Sequence, residues 1–119
     1  MPKENITDLS TLHEMSMGDD SIIIETVEAF LEDIPGTLDD MQELHAKRAY
    51  EDLADLAHKI KPNIGYMGMT EGQEPIIAIE KAAEDKDPEG ILDEKVPAFV
   101  KICNQAFDEL AQKVEELKS

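Results

Sequence analysis

YEDLADLAHKIKPNIGYMG, Tyr50 to Gly68, is the stretch whose reading decides the fold. Taken as a helix at about 100° per residue, it places Leu53, Leu56, Ile60, Ile64 and Met67 within about 60° of the side opposite His58. An apolar stripe of that width is the buried face of an amphipathic helix, and it leaves His58 pointing to solvent. Glu51, Ala54, Asp55, Lys61, Pro62 and Gly65 share the histidine's side. In a helix interior Gly costs about 1 kcal/mol and Pro about 3 kcal/mol, so Pro62 and Gly65 answer to something other than helix stability. The charge pattern changes here as well. Asp and Glu make up 28 of 119 residues, yet none falls between Asp55 and Glu71, where the charged groups are Lys59 and Lys61.

Working outward, the same period recurs on both sides. Residues 6 to 17, with Leu9, Leu12 and Met15, read as a short helix that Gly18, Asp19 and Asp20 break. Asp19, Asp20 or Ser21 can cap the second helix, a long one carrying Ile23, Val27, Phe30, Ile34, Leu38, Met41 and Leu44 at spacings of three or four. Pro35 and Gly36 do not shift its phase, so a kink is expected there and no hairpin; the stop belongs at residues 45 to 48. Pro62 cannot donate to the carbonyl of His58, which predicts a helix that bends one turn beyond the histidine. Met69 to Gly72 reads as a turn. A fourth helix is expected from about Glu74, with Pro75 in its first turn, through Ile76, Ile77, Ile79 and Ala83. From Pro88 the series Leu92, Val96, Phe99, Cys103, Phe107, Leu110, Val114 and Leu117 marks the last helix, which Pro97 is expected to split. No β-type alternation or internal repeat competes. The fold expected is all-α: an antiparallel four-helix bundle with a short additional N-terminal helix, residues 1 to 119 forming one domain.

Composition narrows the function. A formal net charge of −17 repels nucleic acid and anionic membrane surfaces. With no apolar run of membrane-spanning length and no signal-peptide order at the N-terminus, the chain is expected to be cytoplasmic. Cys103 is the single cysteine, so an intrachain disulfide is impossible, and its neighbours Phe99, Ala106 and Phe107 make it a small buried hydrophobe. A monomer is expected, because one bundle of this size can bury its own core.

Most catalytic chemistries find no motif. Asp55-x-x-His58 is the nearest approach to a di-iron Glu-x-x-His pair, and it faces outward. His13, His45, His58 and Cys103 lack zinc-ligand spacing, so no metal site is expected. There is no phosphate-cradling glycine loop and no acyl-transfer nucleophile motif. What remains is an exposed imidazole with a lysine one turn on, His58 and Lys61. Imidazole is a competent nucleophile towards phosphorus at neutral pH, and a nearby ammonium would offset the charge of the group it accepts. The small flank of Ala54, Pro62 and Gly65 would let a bulky partner approach the ring. Against this, a lone solvent-facing histidine is usually only a surface residue, as His13 and His45 are expected to be.

The motif tips the balance. A57-H58-K59-I60-K61, Gly68 ten residues after the histidine, and I79-E80 twenty-one and twenty-two after it resemble the signature of histidine-containing phosphotransfer (HPt) domains. F30-L31-E32-D33-I34-P35 with Leu38 and Met41 is similar to that family's second helix. The resemblance implies that His58 is the phosphoacceptor through Nε2 and that Lys61 stabilises the phosphoryl group. It places Glu80 where a side chain from the next helix can approach the histidine, although a plain ion pair to Lys61 or Lys81 is equally open. Gly68 is implied to serve close helix packing. Pro62 departs from the family's usual glycine. Ala54, Lys59, Pro62, Gly65 and Met69 are expected at the docking surface.

By the same resemblance the protein has no kinase activity or cofactor of its own. Its partners would be response-regulator receiver domains, which supply the Mg²⁺ and acidic pocket, and a hybrid sensor histidine kinase. The phosphoryl group would pass from a receiver aspartate to His58 and on to another receiver. The alternative is a helical bundle that docks on a receiver or kinase without accepting phosphate.

Overall fold

The computed structural model describes residues 6 to 119 as five helices: α1 (Ser10–Met15), α2 (Asp20–Ala46), α3 (Tyr50–Tyr66), α4 (Thr70–Glu84) and α5 (Leu92–Lys118). Helices α2 to α5 form an all-α bundle in which each packs on the next and α5 closes back onto α2. Short connections make sequential helices antiparallel. At a rise of about 1.5 Å per residue, a 27-residue helix is about 40 Å long. α2 and α5 each have 27 residues and so set the 48 Å long axis of the molecule.

The core is the set of apolar positions that the 3.6-residue period selects. Val27 and Met41 of α2, Leu53, Ile60 and Ile64 of α3, Ile76 and Ile79 of α4, and Phe99, Cys103 and Leu110 of α5 lie in one buried cluster. Fully burying such side chains contributes roughly 1.5–3 kcal/mol each relative to exposure. Phe30 and Phe107 join α2 to α5 edge to face, with centroids 5.9 Å apart. Burial pushes the Cys103 thiol up to about 12, so it packs as a hydrophobe. Leu56 is half-buried, and Ile77, read as part of the apolar series of α4, lies on its outer side.

Four prolines sit inside unbroken helices, Pro75 of α4 buried and the other three exposed. Pro35, Pro62 and Pro97 all lie on the solvent side, where the carbonyl freed one turn earlier can be hydrated. Pro97 therefore does not split α5, and α3 runs on through Pro62 to Tyr66. α4 begins at Thr70, four residues before the expected start, so Pro75 falls in its second turn. The reason is tertiary: Met69 is fully buried and Gly72 packs against Ile64, which draws these residues into the helix. No helix among the described residues is long and apolar enough to cross a membrane.

The turns depend on backbone geometry. Gly68 has φ +62°, and a Cβ there would lie 2.1 Å from the Asp8 carbonyl oxygen. Its close approach is thus to the segment preceding α1, not to another helix. That segment is tied at both sides of the bundle end. The amide of Asp8 donates to the Met67 carbonyl at 3.0 Å, and the Glu109 carboxylate of α5 accepts from the amides of Ile6 and Thr7 at 2.8–3.0 Å.

The α4–α5 turn carries Lys86 and Asp87 at positive φ. Asp87 is buried, and its carboxylate accepts from the amides of Ile91 and Leu92 at 2.7 and 3.1 Å, satisfying donors that the first turn of α5 leaves without helical partners. Asp87→Ala is expected to destabilise the protein by about 1–2 kcal/mol, the usual cost of losing a helix-capping side chain. Asp87→Asn, which keeps an acceptor and tolerates positive φ, is expected to cost less. Urea denaturation of both variants measures the difference.

Candidate functional site

The site is assembled where α3 faces α4. The stripe of Leu53, Ile60 and Ile64 turns inward, so His58 emerges on the opposite side with its side chain 73% exposed. Across the helix pair, Ile76, Ile79 and Ala83 turn inward from α4 and leave Glu80 at the seam. The Glu80 carboxylate bridges two residues of α3. Its Oε2 lies 2.7 Å from His58 Nδ1, and its Oε1 accepts from Lys61 Nζ at 2.5 Å. Of the alternatives open from the sequence, Glu80 takes both the histidine and Lys61; Lys81 is exposed and makes no ion pair with it.

This arrangement assigns the protons. The Lys61 hydrogen bond, with a smaller contribution from His58, holds the Glu80 carboxyl below its usual value against the opposing effect of burial. An ionised carboxylate only accepts hydrogen bonds, so Nδ1 of His58 carries the proton. In the neutral ring Nε2 is then the unprotonated nitrogen, with its lone pair free. The carboxylate also orients the ring and can balance positive charge that develops on it.

The remaining expected residues are distributed unevenly. Pro62 and Lys59 are exposed, and Gly65 is half-buried with nothing within 4 Å of where a Cβ would stand. Ala54 is only 9% exposed and forms the floor of a hollow of about 510 Å³ beside His58 instead of an outer surface. Met69 is fully buried, so it cannot touch a partner; it anchors the start of α4 in the core. The hollow also includes Ala83, Glu84 and Lys86, which the reading of the sequence did not bring to the site. Glu84 had a signal, since it lies one turn after Glu80 on the same face of α4; Lys86 had none, because its place depends on the positive-φ turn. His45, expected to be an ordinary surface residue, is half-buried with Nε2 2.9 Å from Asp93, whereas His13 is exposed. Among the described residues no three His, Cys, Asp or Glu side chains stand together as a metal site.

The site is thus an outward histidine with a carboxylate and a lysine beside it on a four-helix bundle. The family model described as the Hpt domain matches residues 25–119. That span takes in α3, α4, α5 and most of α2, and the protein belongs to the Hpt domain family, whose members act in histidine phosphotransfer. No significant match is found among curated proteins or solved structures.

The Lys61–Glu80 link makes a pH prediction. A carboxyl whose folded pKa is lowered contributes stability that is present above its unfolded value and lost as pH falls through the folded one. Wild-type protein is therefore expected to exceed Glu80→Gln in stability at pH 7 by roughly 0.5–1 kcal/mol, a modest figure because Lys61 is partly exposed. The gap should narrow as pH falls below the ordinary glutamate range and close once pH has passed through the lowered folded value. Urea melts of both proteins at neutral and acid pH test this.

Proposed function

We propose that the protein is a phosphorelay carrier: His58 accepts a phosphoryl group from a receiver-domain aspartate and passes it to a second receiver. The observation that carries this reading is the pairing of His58 Nδ1 with Glu80, which leaves Nε2 as the outward nucleophile. The Nε2 lone pair attacks phosphorus of the aspartyl phosphate, the N–P bond forms, and the bond from phosphorus to the aspartate oxygen breaks as the carboxylate leaves. The proton stays on Nδ1, where Glu80 balances the charge that the ring acquires. The same charged ring is a good leaving group when the next aspartate attacks, so one geometry serves both directions.

Lys61 is the group to offset the incoming phosphoryl charge. In the resting protein its ammonium is held by Glu80, so a phosphoryl group on His58 offers it a second anion within the same turn of α3. The bundle supplies position and charge only. Mg²⁺ and the acidic pocket that binds it are assigned to the receiver partner, with a hybrid sensor kinase as the source of phosphate, and this chain needs no cofactor or autonomous kinase activity.

Mixing the protein with a phosphorylated receiver domain and Mg²⁺ is expected to give acid-labile, alkali-stable phosphate on the wild type and none on His58→Gln. Labelling that persists in His58→Gln would overturn the assignment, and stable binding without any transfer would reduce the protein to a docking module. Lys61→Ala is expected to slow transfer by about tenfold, the effect of roughly 1.4 kcal/mol of lost charge stabilisation. Single-turnover transfer kinetics read this directly.

A further inference from the structure

The large apolar side chains left exposed among the described residues are Met15, Met17, Ile22, Tyr66 and Ile77. The first three lie at α1 and the start of α2. Ile77 and Tyr66 instead lie on α4 and α3, past the histidine towards the C-terminal end of α3, Tyr66 on the side that faces α2. Ile77 precedes Glu80 by about one turn of α4. In the antiparallel pair it therefore stands beyond the His58–Glu80 contact, towards the C-terminal end of α3. Tyr66 lies on α3 about two turns past His58. Between them Pro62 is exposed and the space over Gly65 is open. At about 100° per residue, Pro62 and Gly65 stay within about 40° of the histidine's direction and Tyr66 within about 80°. Lys61, the long side chain that would otherwise rise here, is bent onto Glu80. One side of His58 is thus a low apolar band, flanked by the exposed Lys59.

The other side has the opposite chemistry. The hollow floored by Ala54 and Ala83 is rimmed by the carboxylates of Glu51, Asp55 and Glu84, with Lys86 as the cation in its wall. None of these three carboxylates makes an ion pair among the described residues. They are among the 28 acidic residues that give the chain its net charge of −17, and here three of them stand together.

We propose that this face reads its partner in one orientation: a receiver surface whose apolar patch covers Ile77, Pro62, Gly65 and Tyr66 and whose basic side chain enters the hollow at Glu51, Asp55 and Glu84. The proposal rests on His58 being the phosphoacceptor, and it adds the polarity of docking and the charge that the partner must carry. The apolar band supplies desolvated contact area, which carries affinity. The hollow supplies the charge that steers encounter and rejects partners presenting an acidic group there. Rotating the partner half a turn about His58 would set its basic group on apolar surface and its apolar patch on carboxylates, so a single approach remains.

The experiment uses purified receiver domains from the same organism, phosphorylated with acetyl phosphate and Mg²⁺, as donors. Phosphoramidate serves as a small donor that needs no docking: its P–N bond breaks, ammonia leaves with a proton, and the phosphoryl group bonds to Nε2. At about 50 mM salt, Glu51→Lys/Asp55→Lys/Glu84→Lys is expected to lower kcat/KM for transfer from the receivers by about tenfold or more. At about 0.5 M salt that deficit should shrink to about threefold or less, because screening removes the steering term. Ile77→Asp should lose about tenfold at both salt concentrations, since desolvated contact is not screened. Both variants should melt as cooperatively as wild type and still label from phosphoramidate, so that any loss with receivers is a loss of docking. Transfer to the charge-reversed variant within about twofold of wild type at low salt would overturn the proposal. So would labelling of wild type by phosphoramidate but by no receiver. Failure of phosphoramidate to label His58 in folded wild-type protein overturns the phosphoacceptor reading itself, and the docking proposal with it.

Discussion

The burial of one face of α3 is the constraint on which the rest depends. Leu53, Ile60 and Ile64 share a core with Ile76 and Ile79 of α4, and a helix that buries those positions has no freedom left in its rotation. His58 is outward because they are inward. The small residues of α3 then acquire separate consequences: Ala57 lies fully buried at the seam, Ala54 floors the hollow, and Gly65 leaves open space beyond the ring. A bulky residue at any of them would alter helix packing or access to the histidine, two quantities that a tightly packed helix pair does not let vary independently.

Glu80 converts that packing into chemistry. A carboxylate at the seam between two helices loses hydration, a cost that the Lys61 ammonium and the His58 N–H offset by bonding one oxygen each. The result is a group that fixes a ring orientation, a proton position and a local charge at once. It also links the site to the register of α3 on α4. A shift of either helix by one turn, about 5.4 Å, would separate the carboxylate from both partners. The apolar core therefore holds the geometry of His58, Glu80 and Lys61 although none of the three belongs to it.

The ends of the bundle show what holds that register. Gly68 allows the left-handed turn that brings α4 back along α3, and the Asp8 carbonyl packs directly over it. Glu109 binds the same N-terminal segment from α5, so the turn is covered from outside. At the opposite end of α4, Asp87 caps α5 from a positive-φ position, and Lys86 of that turn reaches the hollow beside His58. The α3–α4 turn is also anchored from inside, by Met67 and Met69 in the core. The effect of these turns on the site comes through the angle at which they deliver the helices.

Helical period, the inward face of each long helix, the outward direction of His58 and the burial of Cys103 were all legible in the sequence. Each follows from local geometry repeated every 3.6 residues, which no distant residue can alter without burying charge. The bundle class followed from counting those faces, and His58 with Lys61 from their spacing of one turn. Other features belong to the tertiary structure. That α4 starts at Thr70, that Met69 is core and not surface, and that Ala54 lies on a floor depend on how closely α3 and α4 approach. Glu80 could be placed near the histidine from the sequence but not assigned to a partner, because the choice between Lys61 and Lys81 turns on a side-chain direction across a helix pair. Periodicity tells each residue which way it faces; only packing decides what it meets there.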